Sequence, residues 1–155
     1  MNIVNLFISP SGRINRAKFW IVGLCCVAFF LAVIGVTMSV SSSMDTMFRA
    51  ALFAYIPILY VGVINGIKRL HDRNKSGWWV LLFYGGPTAI GLVGAILDGA
   101  TETSVLLLLL QLISLGITIW ALVELGCLRG TIGQNKYGPD PLAPEVLTPP
   151  VRTHA

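Results

Sequence analysis

The stretch Lys68-Arg69-Leu70-His71-Asp72-Arg73-Asn74-Lys75-Ser76-Gly77-Trp78-Trp79 is the one dense patch of charge in the chain. It holds four cations and one anion, with His71 counted neutral, and it ends on two tryptophans. Long apolar runs flank it on both sides. Lys and Arg collect in cytoplasmic loops of membrane proteins, and Trp favours head-group depth. The stretch therefore reads as the cytoplasmic elbow of a small membrane protein, and the other elements can be placed around it.

The run before the elbow extends from about Ala50 to Ile67, and the run after it from about Trp78 to Leu97. Two further apolar runs lie outside these, from about Phe19 to Val40 and from about Val105 to Leu128. The first carries no charge and the last carries only Glu124. At 1.5 Å per residue, about 20 residues cross a hydrocarbon core of ~30 Å. The expected fold is all-α: an integral membrane bundle of four transmembrane helices, with spans at about 19–40, 50–67, 78–97 and 105–128. They form one domain over residues 1–142, with a flexible cytoplasmic tail over 143–155. Pro57 predicts a kink in the second span. Gly85-Gly86-Pro87 predicts a break in the third. Gly62 and Gly66 have the spacing that lets helices approach closely.

Composition agrees with this reading. Of 155 residues, 55% are hydrophobic and 12% are charged, about half the charge of a soluble domain. Mean hydropathy is +0.77. The net charge of +4 sits in the gaps between apolar runs, which argues for topology and anionic lipid and against nucleic acid. Cys25, Cys26 and Cys127 lie in apolar stretches without ligand spacing, so they read as small buried apolar residues. The run after Lys18 is too long for a cleaved signal.

Orientation follows from the cations. The arm before the first span has Arg13, Arg16 and Lys18, the elbow has four, and the tail has Arg129, Lys136 and Arg152. The opposite side has only Arg49. Both termini and the elbow are expected in the cytoplasm. Arg13, Arg16 and Trp20 are spaced to share one helical face.

Catalytic signatures are missing from the sequence. There is no GxSxG, Walker loop or HExxH, and His71-Asp72 lacks the further ligands of a metal site, so neither catalytic nor metal residues are assigned. No cofactor is implied. Glu124 is the costliest residue to bury, and an acid within a span needs a partner. Arg16, Lys18 and Arg69 are the candidates. Gln111, Ser114 and Thr118 form a polar stripe suited to interhelical hydrogen bonds, and Asn65 lies between the two glycines of the second span.

Three segments together resemble a known family. They are Gly12-Arg13-Ile14-Asn15-Arg16-Ala17-Lys18-Phe19-Trp20, then Arg69 to Trp79, then Gly130-Thr131-Ile132-Gly133-Gln134-Asn135-Lys136-Tyr137-Gly138-Pro139-Asp140-Pro141. The family is that of bacterial inner-membrane proteins grouped as domain of unknown function 805. The resemblance implies a cytoplasmic-membrane location and four helices, and no activity. All three motifs fall on the side assigned to the cytoplasm from charge. A shared layer of arm, elbow and tail is therefore expected, built on Arg13, Arg16, Trp20, Arg69, His71, Asp72, Arg73, Ser76, Gly77, Trp78, Trp79, Gly133, Asn135, Tyr137, Gly138 and Asp140. In it Asp72, Asp140 and Glu124 would meet Arg13, Arg16 and Arg69, with Trp20, Trp78, Trp79 and Tyr137 packed beneath. Exchanging the charges of Arg69 and Asp72 together should then be milder than either change alone.

The leading expectation is a non-enzymatic binding protein whose layer engages anionic lipid head groups or a protein partner, with a homo-oligomer compatible. The runner-up is a small transporter or channel subunit using Glu124, Gln111 and the broken third helix. A membrane enzyme acting on lipid head groups comes third.

Overall fold

A computed structural model describes residues 7–98 and 104–143. The expected features of the second loop between 99 and 103, and of the tail beyond 143, lie outside the described residues. Within them the regular structure is helical, and the single β contact is an isolated bridge between Asn135 and Gly138.

Helix α1 runs Arg16–Val40 and α2 runs Met44–Asp72. A π-helical turn, Leu81–Gly85, leads into α3, Gly86–Asp98. Helix α4, Ser104–Leu122, ends in a second π-helical turn, Val123–Cys127. Three helical segments, Arg16–Val40, Met44–Asp72 and Val105–Cys127, are long and apolar enough to cross a membrane. Leu81–Leu97 is a shorter apolar helix. At 1.5 Å per residue its 17 residues span ~26 Å, close to a bilayer's hydrocarbon thickness.

Local chemistry sets the boundaries. Asn15 caps α1, its side chain accepting from the Lys18 amide at 2.9 Å, as Asn does at helix starts. Arg13 therefore precedes the helix and does not share a helical face with Arg16 and Trp20. Helix α2 is longer than the expected 50–67 at both ends and takes in Lys68 to Asp72. Its end is a Schellman motif. The Lys75 amide donates to Leu70 O at 2.9 Å and the Asn74 amide to His71 O at 3.0 Å. Asn74 adopts φ +57°, the one left-handed residue other than glycine among those described, a conformation Asn tolerates. The helix continues past Pro57. The break at Gly85-Gly86-Pro87 takes the form of the π-turn, which ends at Gly85.

The helices pair as two hairpins, α1 with α2 and α3 with α4, and the hairpins meet mainly through the π-turns. Gly62 and Gly66 receive the ring of Tyr84, not a helix backbone. The apolar core is small: Leu70, Val80, Phe83 and Leu125, with Phe19, Ile67 and Tyr84 among those packed against it. Most long apolar side chains face outward, Leu24, Leu31, Phe53, Leu92 and Leu108 among them. Meanwhile Arg69 and Lys68 are the largest fully buried side chains. This inverts the soluble arrangement and suits a chain whose outer solvent is hydrocarbon. Cys25 and Cys127 are exposed and only Cys26 is half-buried, so the expected burial of all three is corrected. Thr118 Oγ1 donates to Ser114 O on its own helix and Gln111 is exposed, so the polar stripe of α4 does not bridge helices.

Candidate functional site

The hairpins converge where the elbow, the arm and the tail meet. The end of α4 poses a problem, because its last carbonyls have no intrahelical donors. Side chains from the other helices solve it. Arg69 Nε donates to Leu125 O at 2.7 Å, Trp20 Nε1 to Gly126 O at 3.1 Å, and Arg16 Nη1 to Cys127 O at 3.1 Å. Arg69 Nη2 donates to Leu128 O. Four successive carbonyls are thus capped by three side chains. The planar guanidinium of Arg69 reaches two of them and the Asp72 carboxylate at once, which the point charge of a lysine cannot do.

Asp72 is the centre of the layer. It is 4% exposed and takes both Arg69 and Arg13, the latter at 3.1 Å. Its backbone carbonyl accepts the Thr131 amide at 2.8 Å and the Thr131 hydroxyl at 2.9 Å. Arg13 donates onward to the tail carbonyls of Thr131, Gly133 and Gly138. Gly130 passes so close that an added Cβ would sit 1.9 Å from Asp72 Oδ2. No side chain fits there.

The tail folds around these contacts. Asn135 Nδ2 donates to His71 O and to the Thr131 hydroxyl, both at 2.9 Å, and its Oδ1 accepts the Tyr137 amide. Tyr137 stacks on His71 with ring centres 3.8 Å apart. Gly133 and Gly138 hold positive φ, +79° and +135°, where an L side chain is strained. Asp140 accepts the Leu142 and Gly133 amides, each at 2.9 Å. Those two bonds hold its carboxyl below the usual aspartate range.

Glu124 lies in the second π-turn, 4% exposed. Its partners are Arg73 at 2.9 Å and Lys75 at 2.7 Å. Arg16, Lys18 and Arg69, expected from sequence, are not its partners: the Schellman turn swings Arg73 and Lys75 over the end of α4, and Arg69 is already committed. Asp140 likewise meets backbone amides and forms no ion pair among the described residues.

The aromatic expectation divides. Trp20 caps Gly126, and Tyr137 stacks on His71. Trp79 packs edge-on against Trp120 at 5.5 Å, beside Phe83. Trp78 does not pack beneath the layer; it is 77% exposed. Ser76 Oγ accepts the Trp78 amide, and Gly77 lies against Ile67 and His71. Asn65 is buried lower down on α2, and its Oδ1 has no hydrogen-bond partner among the described residues. Sequence reasoning did not single out Asn15, Gly130, Thr131 or Trp120 as site residues. The first three lie within the segments that carry the family resemblance, and Asn15 is also a capping residue before an apolar run; Trp120 carried no signal.

A cavity of about 410 Å³ opens beside this network, lined by Arg16, Arg69, Asp72, Arg129, Gly130 and Asp140 among others. Arg16 and Arg129 form no ion pair among the described residues. Nowhere among those residues do three or more His, Cys, Asp or Glu side chains come together to hold a metal ion.

The profile of the family described as "Protein of unknown function (DUF805)" matches residues 7–139, and the chain belongs to that family. It is 31% identical over 140 residues to the uncharacterized protein YiiR of Escherichia coli (strain K12), covering 90% of each chain. It is 26% identical over 143 residues to the inner membrane protein YhaI of the same organism, covering 91% of this chain and 92% of that one. The inner membrane protein YhaH is 20% identical over 143 residues, with 91% and 93% covered. No solved structure matches at a significant level. With its apolar helices, the chain is a multi-pass protein of the bacterial inner membrane.

Proposed function

We propose that this DUF805 protein is a non-enzymatic membrane binding protein whose polar layer faces the cytoplasm and engages anionic lipid head groups. The observation that carries the reading is the cavity at that layer, flanked by Arg16 and Arg129. The buried acids are already committed, Asp72 to Arg13 and Arg69, and Glu124 to Arg73 and Lys75. Among the described residues, nine cations of arm, elbow and tail (Arg13, Arg16, Lys18, Lys68, Arg69, Arg73, Lys75, Arg129 and Lys136) stand against three acids, Asp72, Glu124 and Asp140. Near an anionic leaflet each cation adds about 1 kcal/mol of attraction. The cation bias also supports four spans with both termini inside, in a single membrane domain over residues 1–142. The transport reading loses support from Glu124, which sits at the polar end paired with elbow cations.

Native mass spectrometry from nanodiscs of mixed phosphatidylglycerol and phosphatidylethanolamine tests it. Wild type should retain phosphatidylglycerol selectively, and Arg129→Gln and Arg16→Gln should each reduce that retention. Equal retention by wild type and both variants would refute the assignment of this cavity.

A further inference from the structure

The cavity beside Asp72 is not lined by cations alone. Five charged residues line it: Arg16, Arg69 and Arg129, with Asp72 and Asp140. Arg69 and Asp72 are paired with each other. Arg16, Arg129 and Asp140 are the groups still open to a ligand. Arg16 gives one donor to Cys127 O and has further N–H groups to give. Arg129 is exposed and forms no ion pair among the described residues. Guanidinium forks of this kind suit a phosphate.

A carboxylate repels a phosphate, so Asp140 calls for a reason of its own. It is half-buried and lines the cavity. Its Oδ1 accepts the Leu142 amide and its Oδ2 the Gly133 amide, each at 2.9 Å. Those bonds hold the carboxyl below the usual range, with a smaller contribution from Arg13 and Arg129. At neutral pH it is ionised and can only accept. A carboxylate has about four acceptor sites, two per oxygen, and each oxygen has filled one. One site remains on each of two adjacent oxygens, which matches two adjacent hydroxyls. An ammonium would also meet a carboxylate, but the lining carries three arginines against two aspartates, a single surplus positive charge. A zwitterionic head group would leave that surplus unmatched and bring its ammonium towards Arg129. A phosphodiester bearing a neutral diol matches it. The volume of about 410 Å³ lies within the range of small-ligand sites, ~300–1,000 Å³.

We propose that this cavity recognises a phosphodiester carrying a vicinal diol, the glycerol head group of phosphatidylglycerol, with the phosphate on Arg16 and Arg129 and both hydroxyls donating to Asp140. This rests on the head-group reading above and adds to it the residue that selects among anionic lipids.

The test is native mass spectrometry of the full chain in nanodiscs holding dioleoyl phosphatidylglycerol, phosphatidylpropanol or phosphatidylethanolamine. Phosphatidylpropanol has the same phosphodiester charge and no hydroxyl. Wild type should retain phosphatidylglycerol over phosphatidylpropanol roughly 10-fold, the low end for hydrogen bonding to a charged group, and phosphatidylpropanol over phosphatidylethanolamine. Asp140→Asn should bring phosphatidylglycerol down to the level of phosphatidylpropanol. Arg129→Gln should reduce both anionic lipids and keep their ratio. Equal retention of the two anionic lipids by wild type, both above phosphatidylethanolamine, would overturn the diol assignment and leave the head-group reading standing. Equal retention of all of them would overturn both. A preference for phosphatidylglycerol that survives Asp140→Asn would overturn the role of Asp140. The lipid series needs no variant, so it decides the matter where Asp140→Asn releases the tail. Excess soluble glycerophosphoglycerol should leave the bound lipid in place; displacement would move the source of the head group from membrane to solution and overturn its assignment to a lipid.

Discussion

Exchanging the charges of Arg69 and Asp72 should not rescue either single change. A simple ion pair would tolerate the exchange, and the sequence alone suggests that it would. The structure reverses this. Arg69 is fully buried and donates to Leu125 O, Leu128 O and Asp72. Arg69→Ala removes one partner of a buried ion pair, a loss of ~3–5 kcal/mol. It also strands two carbonyls, each worth about 1–3 kcal/mol. These losses overlap at one guanidinium, so ~3–5 kcal/mol is the working figure, a large share of a total stability of ~5–15 kcal/mol. In the double exchange, an aspartate at position 69 has no proton to give either carbonyl. An arginine at position 72 would face Arg13 and occupy the space against which Gly130 is packed. The double variant should therefore be no more stable than Arg69→Asp. Arg69→Lys should recover the charge but not the fork, and fall between wild type and Arg69→Ala. Unfolding by sodium dodecyl sulfate in maltoside micelles, followed by tryptophan fluorescence, reads these differences. A double exchange more stable than both single changes by over ~1 kcal/mol, beyond ordinary non-additivity, would refute the capping role of Arg69.

Gly130→Ala should release the tail, because its Cβ would lie 1.9 Å from Asp72 Oδ2; faster hydrogen exchange at the Thr131 amide checks this. Glu124→Gln keeps the shape but loses the ion pairs to Arg73 and Lys75, and should cost ~3 kcal/mol in the same unfolding assay. Asn74→Gly should be near neutral, whereas Asn74→Val should cost ~1–2 kcal/mol at φ +57°. Asp140 has a depressed carboxyl, held down by the Leu142 and Gly133 amides. Its contribution is therefore present above the unfolded aspartate pKa and lost as pH falls through the lower folded one. Exchange protection of the Gly133 amide should hold from neutrality into the acid range and fall only below the ordinary aspartate range, and Asp140→Asn should abolish that dependence.

The readable part of this protein is the part governed by solvent. Four apolar runs, the charge gaps between them and the elbow at Lys68–Trp79 were legible because hydrocarbon sorts side chains by polarity and helices by length. Even so, helix ends moved. Asn15 and the Asn74 Schellman turn decide where α1 starts and α2 stops, and both depend on backbone bonds that a hydropathy pattern does not encode. The glycine pair at 62 and 66 signalled close approach, but not that Tyr84 would be what approached.

Sequence by itself determined that the chain lives in a membrane, that it is helical, and that its arm, elbow and tail carry its specific residues. Tertiary structure alone decided which charges pair. Arg13, Arg69 and Asp72 are 59 and 3 residues apart in the relevant pairs, and Arg73 and Lys75 reach Glu124 from the turn that follows α2. Any of several cations could have met either acid on composition grounds. The choice falls to the carbonyls at the end of α4. Buried backbone acceptors must find donors, Arg69, Trp20 and Arg16 are the groups within reach, and the remaining charges pair with what is left.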